Sequence, residues 1–439
     1  MRIKFLSVIV SFLFVSFAIS SCLDSDDNTY ELSSDATVHA FGLDTIYGKH
    51  YTFTIDQLKR IIYNRDSLPV GADTIIDRIL IDTFSVSGWI TAGINDTLFN
   101  IKDSVDFTPI VNKPEGMKFK VYAPDGSYRE YTVQINRHNQ DPDSLVWRPM
   151  ETFSDITVSG RQKSVVLGNE LFVYTSNTTA YKISTDEYPA GWTEMNDINL
   201  PENAQLPSLT CFQEKLYVVA DKDIYNSENG RVWNKVDALS GNAIALLAGF
   251  PDKLAGIWDD GTVRKFCVAT PAAGTGELSW KLGEEDVPAE FPVHSIYSSL
   301  FTTANGINEA ILVGLPEAIK GQTVPWFSYD GENWADLSTN STLYCPSLAN
   351  PFIMNYGGTF YIMGGTKEDK LDVIYSSVAG IAWYKTKKKF LLPEEFNSIT
   401  APYSIAIDNK NFIWVIFGGD GKHNAVWRGR LNRLGFANQ

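Results

Sequence analysis

Apolar and polar residues alternate with period two along much of this chain, the spacing of half-buried strands. In Lys118-Phe119-Lys120-Val121 the apolar positions are odd-numbered, and they are odd again at Tyr131, Val133 and Ile135. Pro124-Asp125-Gly126 lies between these runs and has the residue types of a tight turn, so the segment is predicted as a hairpin. One stretch has helical spacing instead. Thr54-Ile55-Asp56-Gln57 has the form of a capping box, and Leu58, Ile61 and Ile62 then share one helical face. A short helix is predicted there. Asn136 to Asp143 is polar, contains Pro142, and reads as a linker.

Beyond the linker, tryptophan sets the pattern. Trp147, Trp192, Trp233, Trp280, Trp334 and Trp383 follow one another at spacings of 45, 41, 47, 54 and 49. A period of about 40–50 residues is that of propeller blades. Three copies share Ser-x-x-Gly-x-x-Trp: Ser227-Gly230-Trp233, Ser328-Gly331-Trp334 and Ser377-Gly380-Trp383. In this pattern serine ends a strand, glycine permits a turn with positive φ, and tryptophan opens the next strand and packs between blades. The glycine doublets Gly364-Gly365 and Gly418-Gly419 follow apolar strands. Doublet, aromatic and tryptophan together resemble the kelch pattern. The copy Ser328-Tyr329-Asp330-Gly331 resembles the Asp-box hairpin of sialidase-type propellers, one residue short. Neither resemblance carries an activity.

Third-strand aromatics at Tyr181, Tyr225, Phe266, Trp326, Tyr375 and Trp427 count six blades. The last lacks an outer strand, which Leu145-Val146-Trp147 is expected to supply, removing an open edge. The N-terminal hairpin is typical of small β-sandwich modules. Its segment resembles the Ig-like modules near the N-terminus of many Bacteroidota surface lipoproteins. The expected fold is therefore mainly β. A small Ig-like β-sandwich with one short helix occupies 35–138, a linker 139–143, and a six-bladed kelch-like β-propeller 144–439, closed by a strand from the linker end.

Residues 1–21 carry an address. Arg2 and Lys4 precede an apolar run from Phe5 to Ile19, shorter than the about 20 residues of a membrane span. The run ends in Ile19-Ser20-Ser21-Cys22, which resembles a lipobox. That resemblance implies a cleaved lipoprotein signal peptide, lipidation of Cys22 and attachment to the outer membrane. Leu23-Asp24-Ser25-Asp26-Asp27 resembles the surface-export signal of Bacteroidota lipoproteins, so 22–34 is expected to be a flexible acidic tether at the cell surface. The whole resembles a Bacteroidota surface lipoprotein family of unknown function, with a short N-terminal β module before a kelch-like propeller. The formal net charge of −15 excludes a basic nucleic-acid footprint. It also makes a lipid anchor, rather than a basic patch, the means of holding the membrane.

Little chemistry is written in motifs. Cys211, Cys267 and Cys345 lack metal-site spacing and are read as buried free thiols. Five histidines, His39, His50, His138, His294 and His423, show no metal-ligand spacing. No P-loop, GxSxG or dinucleotide fingerprint occurs, and no cofactor or metal is expected. Glycoside hydrolysis needs a paired acid and base, and the neighbouring acids Glu284-Glu285 and Glu394-Glu395 do not make one. Sialidases are recognised by an Arg-Ile-Pro motif, which is absent.

The blade repeat explains most of the 11 tryptophans. Of those remaining, Trp258 precedes Asp259-Asp260, where an indole and two carboxylates could hold a sugar; the alternative is a packing tryptophan beside a solvated turn. Lys367 and Glu368, and Asp420 and His423, stand at equivalent turns and could complete a mixed-charge pocket. Asp-Ser/Thr-aliphatic triplets resemble the O-glycosylation sequon of Bacteroidota exported proteins, implying modification at Thr45, Ser67, Thr74, Thr97, Ser104 and Ser144. The expected function is a non-catalytic surface lipoprotein whose propeller binds a glycan or a protein. The alternatives are a glycan hydrolase or lyase with acids in the channel, and a structural subunit of an outer-membrane assembly.

Overall fold

The computed structural model describes residues 31–435 except 94, 153–161, 187, 188, 190, 318–320, 338–341 and 419–424. Cys22 and the signal segment lie outside the described residues. The chain divides after Asp141 into two compact units.

In the first unit the strands are β1 (Val38–Gly42), β2 (Phe53–Asp56), β3 (Ile61–Asn64), β4 (Thr83–Val86), β5 (Trp89–Ala92), β6 (Thr97–Leu98), β7 (Met117–Tyr122) and β8 (Tyr128–Gln134). The expected hairpin is β7–β8, paired from Met117↔Val133 to Tyr122↔Tyr128. Its odd-numbered side chains, Phe119, Val121, Tyr131 and Val133, are buried in one core with Ile62, Phe84 and Phe107.

Two expectations for this unit need correction. The capping-box segment is a hairpin, not a helix. Ile55 lies opposite Ile62, and the Asp56 carboxylate accepts the backbone N–H groups of Leu58 and Lys59 to make an Asx turn. Leu58 is 96% exposed. Local helical spacing loses here because β3 pairs in parallel with β8, which requires an extended chain. A single helical turn forms elsewhere, at Asp73–Ile76. The Ig-like sandwich is the second correction. An immunoglobulin sandwich is antiparallel throughout each sheet. Here one mixed sheet runs β2-β3-β8-β7-β5-β6, and a separate two-stranded ladder joins β1 to β4.

Among the described residues the second unit forms six four-stranded antiparallel sheets. Their first strands are Lys163–Leu167, Thr210–Phe212, Ala243–Gly249, Pro292–Thr302, Ala349–Tyr356 and Tyr403–Ile407. Five sheets are consecutive in sequence. The sixth takes its fourth strand from far upstream: β9 (Leu145–Met150) pairs with Val426–Leu431, from Leu145↔Leu431 to Met150↔Val426. This is the expected closing strand. Trp147 lies over Gly429, where a Cβ would stand 2.5 Å from the indole, and its N–H donates to the Leu391 carbonyl at 2.8 Å.

The repeat has a local cause. The Ser328 and Ser377 hydroxyls accept the N–H of Gly331 and Gly380 at 2.8 and 2.9 Å. The Trp334 and Trp383 indoles donate back to the carbonyls of the same glycines. In the first copy Tyr174 takes the Gly230 carbonyl at 2.6 Å, and the buried Trp233 indole N–H has no hydrogen-bond partner among the described residues. Trp233, Trp334 and Trp383 each pack into a core shared with the preceding sheet. Cys211, Cys267 and Cys345 are free thiols, but Cys211 is only half-buried, because its short strand borders an internal cavity.

Candidate functional site

Residues from the first strands of all six sheets line one cavity of about 410 Å³, so these strands surround a common axis. The lining is apolar apart from hydroxyls, amides, Cys211 and one cation, and it holds no carboxylate among the described residues.

That cation is Lys163, the first residue of the first sheet's leading strand. Alternation along Lys163-Ser164-Val165 and pairing opposite Tyr174 place it inside. It is 5% exposed. Its Nζ donates to the Ile296 carbonyl at 3.0 Å and lies 3.5 Å from the Tyr297 ring centroid. Burial pulls the amine down to about 7. Beside it, the Ser164 and Ser404 hydroxyls are 2.5 Å apart, and Gln162 donates to Ser404 and to the Ile416 carbonyl.

A second cavity of about 420 Å³ lies at the ends where the first strands begin. Its polar lining is Asn177, Gln205, Ser208, His294 and Ser295, set among Leu206, Val293 and Ile296. Each comes from a connection or an irregularity. Asn177 is in the turn before the first sheet's third strand, and it is held by donation to the Pro201 and Glu202 carbonyls. Gln205 precedes the 3-10 turn Leu206–Ser208. His294 and Ser295 occupy a bulge in the fourth sheet, where Ser295 has φ of +49°. Gln205 and His294 are exposed, and their side chains make no hydrogen bond within the described residues, so their donors and acceptors remain for a ligand. Pro207, Ser208 and Ile296 line both cavities, which makes them the partition between mouth and channel.

A third cavity of about 470 Å³ shares His294 and carries two carboxylates, Glu290 and Glu317. Arg264 reaches Glu317 at 3.3 Å.

None of Trp258, Asp259, Asp260, Lys367 and Glu368 lines these cavities. Trp258 is the penultimate residue of the second strand of the third sheet, Leu254–Asp259, opposite Ala243 at the mouth end. The Asp259 carboxylate accepts the Gly261 N–H at 2.7 Å and pairs with Arg264 at 3.1 Å. The Gly261 N–H, with Arg264 and Lys222, holds the Asp259 carboxyl below the usual carboxylate pKa range. Asp260 accepts from Thr262 and Val263 and builds the turn. Both acids are therefore already used by the protein. Lys367 and Glu368 are exposed in the fifth sheet's corresponding turn. Asp420 and His423 lie outside the described residues. Of the triplet residues, Thr74, Thr97 and Ser104 are exposed, and Thr45, Ser67 and Ser144 are half-buried.

Among the described residues no cluster of three His, Cys, Asp or Glu side chains could hold a metal, and no helix is long and apolar enough to cross a membrane.

Repeated four-stranded sheets whose first strands enclose one axis define a β-propeller. The chain belongs to the DUF6242 family: residues 141–439 match the DUF6242 beta propeller domain, and residues 23–135 match the DUF6242 N-terminal domain, a domain of unknown function. No curated protein matches the sequence. Among solved structures, that of YjhT is 15% identical, covering 63% of this chain and 95% of its own, with a TM-score of 0.41. The SapL1 lectin in complex with alpha methyl fucoside is 12% identical, covering 59% and 89%, with a TM-score of 0.38. A thermostable family-43 glycoside hydrolase is 11% identical, covering 63% and 89%, with a TM-score of 0.31. They assign no ligand at such distances.

Proposed function

We propose that this protein is a non-catalytic, surface-anchored glycan-binding lipoprotein, with a six-bladed, kelch-like ring carrying the binding site at its mouth. The observation that supports this reading is the mouth cavity. Its volume of about 420 Å³ suits a small ligand, for which pockets of about 300–1,000 Å³ are usual. Its lining combines the unspent Gln205 amide and His294 imidazole with apolar side chains, which matches the alternating hydroxyls and C–H faces of a sugar. It offers no carboxylate among the described residues, whereas glycoside hydrolysis needs an acid and a base.

The purified mature protein is expected to show saturable binding on a glycan array. Replacing Gln205 and His294 together by Ala should remove it without lowering the melting temperature, because both side chains are exposed. An array with no signal for the wild type would refute glycan recognition. Trp258→Ala, tested alongside, separates the mouth from the Trp258-Asp259-Asp260 turn as the site. Anchoring is proposed through Cys22, and Cys22→Ala should abolish incorporation of labelled fatty acid.

A second reading, a glycan hydrolase or lyase, rests on Glu290 and Glu317 beside His294 in the third cavity. Glu317 is engaged by Arg264 at 3.3 Å.

A further inference from the structure

Lys163 is the one feature of the channel that the neutral mouth does not use. An ammonium group has three N–H donors, and the structure accounts for one, given to the Ile296 carbonyl. The ring face of Tyr297 adds an attraction for positive charge. Among the described residues no carboxylate pairs with it. Burying a cation without an anion is costly, and an apolar side chain of similar length would fill the same space without that penalty. Its position is also specific. Ile296, to which Nζ is bonded, is part of the partition between mouth and channel, so the amine stands on the channel side of that partition, one residue from the mouth lining. Ser164 on the same strand and Ser208 on the partition stand in the same lining, but their hydroxyls are bonded to Ser404 and to the Gln205 carbonyl, so of these three Lys163 is the donor left there.

We propose that Lys163 anchors the carboxylate of an acidic sugar whose neutral face lies in the mouth cavity, so that the ligand class is a uronic-acid-containing glycan. This rests on the glycan reading above and narrows it. The carboxylate supplies the missing counter-charge and accepts the free N–H groups of Lys163. The protein as a whole is acidic, with a formal net charge of −15. Long-range attraction therefore does not bring the anion in, and the local cation does the recognising.

The test is titration calorimetry on the full mature protein with a galacturonic acid disaccharide and the galactose disaccharide of the same linkage. The wild type should bind the acidic form at least tenfold more tightly, and Lys163→Met should lose that margin while keeping the weaker affinity for the neutral sugar. Equal affinity of the wild type for both sugars would overturn the role of Lys163 and leave glycan binding standing. Binding of neither would overturn both. A measurement free of mutation is reductive methylation of the wild type. The acidic disaccharide should protect Lys163 from labelling and the neutral one should not; equal labelling under both would count against the proposal.

Discussion

A Cβ placed on Gly230 would stand 2.6 Å from the Phe172 ring and 2.9 Å from the Tyr174 hydroxyl, both on the preceding sheet. The residue also has φ of +72°. Gly261 has φ of +91° but nothing within 4 Å of the same point. The pair separates backbone strain from packing. Gly261→Ala is expected to cost about 1–2 kcal/mol of stability, the penalty of left-handed backbone alone. Gly230→Ala should cost about 2–4 kcal/mol, because overpacking is added. Denaturant midpoints measure both, and equal losses would mean that the turn does not press on its neighbour. Lys163 gives a second residue-scale test. Its folded-state value of about 7 lies below the 10.5 of an exposed lysine, so between those pH values the unfolded chain binds the extra proton. Stability due to this group therefore rises with pH across that window, and the penalty is complete below it. Lys163→Met should stabilise the fold most near pH 6, and the gain should shrink by pH 9. A gain independent of pH would show that the buried amine is not the cause.

At the scale of elements, the closing strand carries the clearest consequence. Replacing residues 145–150 by a Gly/Ser stretch of equal length leaves Val426–Leu431 as an exposed edge and removes the Trp147 packing over Gly429. The variant should melt markedly lower and aggregate, and a wild-type melting curve would show that the strand is dispensable. This strand was legible in the sequence because Trp147 carries the repeat's outer-strand signature with no strands of its own before it. The hairpin β7–β8 was legible through the alternation of Phe119, Val121, Tyr131 and Val133. The Ser-x-x-Gly-x-x-Trp turn was legible because its serine-to-glycine bond spans only three residues. What failed was non-local. Thr54 to Ile62 reads as a helix until β8 pairs beside it, and an antiparallel sandwich is the default until that parallel pair is seen. The site was the least legible part. Lys163 meets Ile296 across 133 positions, and nothing near either residue announces the contact. The one local signal was a lysine opening an apolar strand. Asp259 and Asp260, which the sequence offered either as ligand groups or as parts of a solvated turn, are bonded to their own turn and to Arg264.

For the molecule as a whole, the propeller's axis divides, among the described residues, into a mouth without carboxylate, lysine or arginine and a channel with one buried lysine. The binding reading stands or falls on whether a ligand enters that mouth. The most direct measurement is a crystal structure of the mature protein with the strongest glycan-array hit. The sugar should lie in the cavity between Gln205 and His294, with hydrogen bonds to both and its deepest group toward Ile296 and Lys163. A sugar bound instead beside Trp258, or on the outer surface with the mouth filled only by water, would contradict it.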